Sequence, residues 1–207
     1  METNLTPLDE LVALLPPPAN PVYGVRSWEE VFAELGTGLP QDFVALIERY
    51  GAFQVGGLGE SDDGTRDYLE FLMVADPRVV RSHGVTWAQA AVMREDTYRS
   101  LRAQFPDTYM LAAWPEPGGF LGWGTTIDGD WFGWLTEGDP DEWPIVAEGR
   151  GDQWIDEPPL QNTATEFLLH WLSGVPDLPY MAQLWEGGEW EPVECRPGHR
   201  GPAATQT

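Results

Sequence analysis

The stretch from Phe120 to Val146, FLGWGTTIDGDWFGWLTEGDPDEWPIV, constrains the fold more than any other part of the chain. Aromatic residues alternate with small or polar ones, the period of a strand and not of a helix. Asp128-Gly129 interrupts the alternation and supplies the positive φ angles of a type I′ turn, which suits the twist of two paired strands. Strands are therefore expected over 119–127 and 130–136, with another from Trp143 to Glu148 and a short one at Trp154-Ile155. The segment holds Trp123, Trp131, Trp134 and Trp143, the carboxylates of Asp128, Asp130, Glu137, Asp139, Asp141 and Glu142, and no basic residue. Its acids fall on turns, where side chains stay in water. Such a surface can grip a partner but lacks the groups that chemistry usually needs, so the first inference is binding.

Helices bracket these strands. Thr6-Pro7 opens a short amphipathic helix with Leu8, Leu11, Val12 and Leu15, and Pro16-Pro17-Pro18 stops it. Ser27-Trp28-Glu29-Glu30 is a capping box, and the helix it starts presents Trp28, Val31, Phe32 and Leu35 before Gly36. Leu39-Pro40 restarts a helix with Phe43, Leu46, Ile47 and Tyr50 on one face, closed by Gly51. Phe53–Leu58 and Tyr68–Val74 read as strands around an acidic loop. Thr86 caps a third long helix to about Gln104, with Trp87, Ala91, Arg94, Tyr98 and Leu101 along one side; the arginine on that stripe suggests partial exposure. Thr163-Ala164-Thr165-Glu166 is a second capping box, and its helix buries Ala164, Phe167, Leu168, Trp171 and Leu172, ending at Gly174. Beyond Pro176 the chain is punctuated by proline and glycine, with Leu178, Met181, Leu184 and Trp185 available to pack back on the core. The whole is an α+β domain with a central antiparallel or mixed sheet. Its expected divisions are a short helix and proline-rich connector over 1–20, the domain over 21–193, and a flexible tail over 194–207.

At 207 residues and 42% hydrophobic, one domain can bury a real core. The formal charge is −23, concentrated in residues 103–195, where 18 acids face only Arg150. Such a field repels nucleic acid and anionic membrane and speeds encounter with basic partners. Acidity that serves solubility alone is the plain alternative. Cys195 is the single cysteine, so no internal disulfide and no cysteine-rich zinc site is expected. No signal peptide or membrane span is read in the chain, which suggests a cytoplasmic protein.

Catalytic readings find little support. His83, His170 and His199 lie far apart and off metal-ligand spacing, so no metal or cofactor is expected. Cys195 has no helix start beside it to lower its pKa. Gly56-Gly57-Leu58-Gly59 lacks the lysine and the hydroxyl residue of a phosphate loop. A glycosidase would need two carboxylates roughly 5–10 Å apart, for which Asp130 with Glu137 or Asp141 could serve, although any chain with 34 carboxylates supplies such pairs. A carbohydrate-binding module would use the same tryptophans without the acids. Trp28, Trp123, Trp134 and Trp171 are expected mainly in the core.

The pattern resembles the SUKH superfamily of Smi/Knr-like domains, shared by bacterial immunity proteins and a fungal cell-wall regulator. The resemblance runs from Trp28, Leu39-Pro40, Phe43 and Tyr50-Gly51 through Trp123-Gly124, Asp128-Gly129-Asp130, Trp134 and Thr136. It continues through Gly138-Asp139-Pro140, Trp143-Pro144 and Val146 to Glu166-Phe167-Leu168, covering about residues 15 to 193. Residues 54–104 share only general similarity. The resemblance implies a non-enzymatic domain that binds and neutralises a secreted toxin, many of which are basic nucleases. Charge complementarity would then come from Glu60, Asp62 and Asp63, from Glu137, Asp139, Asp141 and Glu142, and from Asp152, Asp156 and Glu157. The same fold as a scaffold or regulator with another protein partner is the alternative.

Overall fold

In a computed structural model, the described residues are 5–60, 66–107, 109–126, 129–148, 159–173 and 193–198. They form an α+β fold. Helices α1 (Pro7–Leu14), α2 (Trp28–Leu35) and α3 (Gln41–Tyr50) precede strands β1 (Phe53–Glu60) and β2 (Arg66–Val74). Helix α4 (Trp87–Gln104) leads to β3 (Ala112–Ala113), β4 (Gly119–Thr126), β5 (Trp131–Thr136) and β6 (Ile145–Glu148), then to α5 (Ala164–Leu172) and β7 (Val193–Pro197). The main sheet order is β6-β5-β4-β2-β1-β7, all antiparallel, with β3 parallel to β4 at its start.

Local chemistry sets the helix starts. Reciprocal capping boxes open α1 (Thr6 with Asp9), α2 (Ser27 with Glu30), α4 (Thr86 with Gln89) and α5 (Thr163 with Glu166). Each satisfies two backbone donors that the first helical turn would otherwise leave unpaired. The Asp9 and Glu30 carboxyls are held below their ordinary range by the hydrogen bonds they accept from Thr6 and Ser27.

One face of the sheet meets α3 and α5 in an aromatic core. The Phe43 ring sits edge-on to Trp134 at 4.9 Å, and Phe167 lies 5.8 Å from Trp123 and 5.0 Å from Phe132. Trp123, Trp134 and Trp171 are buried, as expected of core residues, whereas Trp28 is only half-buried at the edge. Helix α1 belongs to this core: Leu11 and Leu15 are buried, and the Tyr50 hydroxyl donates to the Leu15 carbonyl at 2.7 Å. A fixed link also joins the segment before α2 to the end of β2. Arg78 pairs with Asp76 (3.0 Å) and Glu48 (2.8 Å) and stacks 4.7 Å over Trp28, while Asp76 also accepts from the Gly24 N–H at 2.8 Å.

Helix α4 covers part of the opposite face. Arg94, expected to signal exposure, points at the sheet, with its guanidinium 4.9 Å from the Phe120 ring and 5.0 Å from the Trp131 ring. It pairs with Glu95, which is buried. The opposed pair Gly122–Gly133 makes this packing possible. A Cβ on Gly133 would stand 2.5 Å from Phe120, and one on Gly122 would stand 2.9 Å from Trp131. Both rings therefore pack directly against bare backbone.

Two expectations change. Thr126 donates its N–H to the Asp130 carbonyl at 2.9 Å, leaving three residues in the turn instead of two. Gly129, at φ 91, donates back to the Thr126 carbonyl, so glycine serves as the left-handed closing residue of a longer loop. The tail expected over 194–207 is corrected for its first residues, because Val193–Pro197 pairs antiparallel with β1 and Gly198 donates to the Ala52 carbonyl at 2.7 Å, while 199–207 lie outside the described residues. Backbone pairing to an open strand edge, with Cys195 packed on the core, outweighs the polar composition of this segment. The strand expected at Trp154-Ile155, the helix end at Gly174 and the segment from Pro176 to Trp185 lie outside the described residues.

Candidate functional site

The β5–β6 turn is built by its own polar groups. The Thr136 hydroxyl donates to the Gly119 carbonyl at 2.8 Å and pins the end of β5. The Asp139 carboxylate accepts the Asp141 N–H at 3.0 Å and starts a short 3-10 turn over Pro140–Glu142. That turn delivers Asp141 to helix α3. Pro40, at the N-cap of α3, has no side-chain acceptor, and Asp141 supplies one from a hundred residues away. It accepts from the Gln41 N–H and from Gln41 Nε2, both at 2.7 Å. Asp42 repeats the device for α5, accepting from the Thr165 N–H at 3.0 Å and its hydroxyl at 3.3 Å. Burial raises the Asp42 carboxyl above its ordinary value despite those hydrogen bonds.

Turn, α3 and α5 thus converge around a pocket of about 420 Å³. Asp42, Asp141 and Glu142 line it, with Trp134 and Trp143 as its aromatic wall and Gln161, Asn162 and Thr163 opposite. Trp143 is buried, and its indole N–H points to the Gly138 carbonyl at 3.4 Å. Carboxylates beside largely buried indole rings favour a cationic side chain, such as that of arginine or lysine.

Of the acids expected to meet a partner, Glu137, Asp139, Asp141 and Glu142 come together here, and all four are exposed. Asp139 and Asp141 act first as caps, a role visible only once the turn and α3 are seen side by side. Glu60 ends β1 beyond the opposite end of β4, on the order of 40 Å away along the strands at about 3.3 Å per residue. It does not share a patch with the turn. Asp62, Asp63, Asp152, Asp156 and Glu157 lie outside the described residues.

The catalytic pair considered above is separated. Asp130 precedes β5 and accepts from the Thr126 hydroxyl at 2.9 Å, whereas Glu137 follows the far end of the same strand. Seven residues of extended chain put them roughly 20 Å apart, outside the 5–10 Å range for glycoside hydrolysis. Asp141 lies on that distant turn as well. Cys195 is half-buried in β7, and burial pushes its thiol up to about 12, the reverse of an activated nucleophile. Among the described residues no group of three or more His, Cys, Asp or Glu side chains is arranged to hold a metal ion, and no helix is long and apolar enough to cross a membrane. No protein-family model, curated protein or solved structure matches the chain.

Proposed function

We propose that this protein is a non-enzymatic, immunity-type binding protein of the SUKH kind, which neutralises a basic, nuclease-like toxin by covering its active surface. One observation carries the reading. The Glu137–Glu142 turn presents four exposed carboxylates beside a pocket walled by Trp134 and Trp143. Long-range steering by the net charge of −23 brings a basic partner in, and the pocket takes one of its cationic side chains. The acidic face then competes with nucleic acid for the same basic surface. The order of the Trp, Leu-Pro and Gly-Asp-Pro motifs along an α+β domain supports the family part of the reading.

The test uses the protein encoded by the adjacent gene, by co-expression rescue and by stopped-flow association at several salt concentrations. Glu137 and Glu142 make no side-chain hydrogen bond among the described residues, so Glu137→Lys with Glu142→Lys leaves the fold intact. The double variant is expected to lower the association rate at least about tenfold at low salt and to weaken rescue. An unchanged rate and full rescue would refute the site. A neighbouring product that is neither toxic nor bound would move the protein to the scaffold role.

A further inference from the structure

The acidic turn is tied to the rest of the fold through one residue. Among the described residues, the hydrogen bonds that carry residues 137–142 beyond the β5–β6 hairpin both end on Gln41. The Asp141 carboxylate is held at each oxygen, Oδ1 by the Gln41 N–H and Oδ2 by Gln41 Nε2. Two bonds to one planar group fix its direction as well as its place. Inside the turn, the Glu142 N–H donates to the Asp139 carbonyl at 2.9 Å and the Trp143 N–H to the Pro140 carbonyl at 3.2 Å. The anchor is firmer than the turn it holds, because Gln41 opens α3, whose Phe43, Leu46 and Ile47 are buried in the core.

Gln41 carries no charge, so it adds nothing to the field that steers a basic partner inward; the carboxylates set that field. With its amide turned into Asp141, it acts on the shape of the turn. A turn fixed beforehand loses less conformational freedom on binding than one ordered at that moment. Among variants of one interface, such differences fall mainly on the dissociation rate.

We propose that Gln41 is a positioning residue of the acidic turn, holding it in the conformation a basic partner meets and so setting how long the complex lasts. The inference rests on the binding reading above and deepens it.

Gln41→Met removes the amide while keeping side-chain length, helix preference and net charge. Two measurements on the full chain test the role. In the free protein, hydrogen exchange over residues 137–143 is expected to quicken at least about threefold in the variant, with β4 and β5 unchanged. With the adjacent gene's product, the dissociation rate is expected to rise about three- to tenfold and the association rate to stay within about twofold of wild type. Faster exchange across β4 and β5 as well would make Gln41 a residue of general stability and overturn the proposal. So would unchanged exchange at the turn, or a loss of affinity that falls on the association rate. If wild type does not bind the neighbour, the binding reading fails and this role falls with it. If wild type binds and the variant dissociates no faster, the role of Gln41 alone fails.

Discussion

Arg78 is a cation only 8% exposed, held by Asp76, Glu48 and the face of Trp28. Each partner comes from a different stretch of chain, so the pair fixes how those stretches meet. A buried ion pair need not add stability over an apolar replacement, but removing one member leaves the other charged and dry. Arg78→Met preserves packing on Trp28 and strips Asp76 of its cation. It is expected to cost about 3–5 kcal/mol in urea unfolding, and adding Asp76→Asn should recover a good part of that. A loss below about 1 kcal/mol in the single variant would show that Asp76 is satisfied by its other donors. The local backbone leaves no alternative to glycine at Gly24, where a Cβ would stand 2.0 Å from the Arg78 carbonyl carbon. None of this was legible in the chain, because Arg78 reads as one arginine among many until residues 24, 28, 48 and 76 are brought together.

At the scale of elements, the start of α5 depends on a residue of α3. Asp42→Ala should cost about 1 kcal/mol, the value of a lost helix-start acceptor, whereas Asp42→Asn keeps the acceptor without the charge. Burial raises the folded-state pKa of Asp42 above its ordinary 3.8, so the native protein binds this proton more tightly than the unfolded chain does. The stabilisation is complete below the unfolded value and is lost as pH rises through the raised one. Wild type should therefore lose stability relative to Asp42→Asn as pH rises from below 3.8 through the raised pKa, as measured by denaturant titration. A difference of the opposite slope would mean that hydrogen bonding by Thr165 prevails over desolvation. The helices themselves were legible, since a capping box and an i, i+3, i+4 stripe lie within a few neighbouring residues. Their tertiary caps were not, because Asp141 and Asp42 act on donors far away in the chain. The same holds for β7, whose polar sequence carries no strand signal, and for the second face of the sheet. Alternation marks Gln54 as opposite to Phe53 and Val55, yet only Trp87 and the loop with Arg81, folded over the Gln54 side, show that the face is covered.

The molecule as a whole carries a charge of −23, and among the described residues many of its acids stand exposed. Like charges repel most in the compact state, so the native protein should gain from screening. Raising sodium chloride from about 10 to 300 mM shortens the Debye length from about 30 Å to below 10 Å and should move the urea midpoint upward. A midpoint that falls with salt would show that the ion pairs of Arg78, Arg26 and Arg102 outweigh the repulsion. Two long-range closures tell against stepwise assembly. Helix α1 packs against α5, and the outer edge of β1 is closed by β7. A ribosome releases earlier residues first, so α1 and β1 wait for α5 and β7, which follow well over a hundred residues later in the chain. Closing loops of that length is slow, and an interrupted product presents a bare apolar helix and an open strand to chaperones and proteases. The fold thus carries its own proofreading, because segments made late seal segments made early.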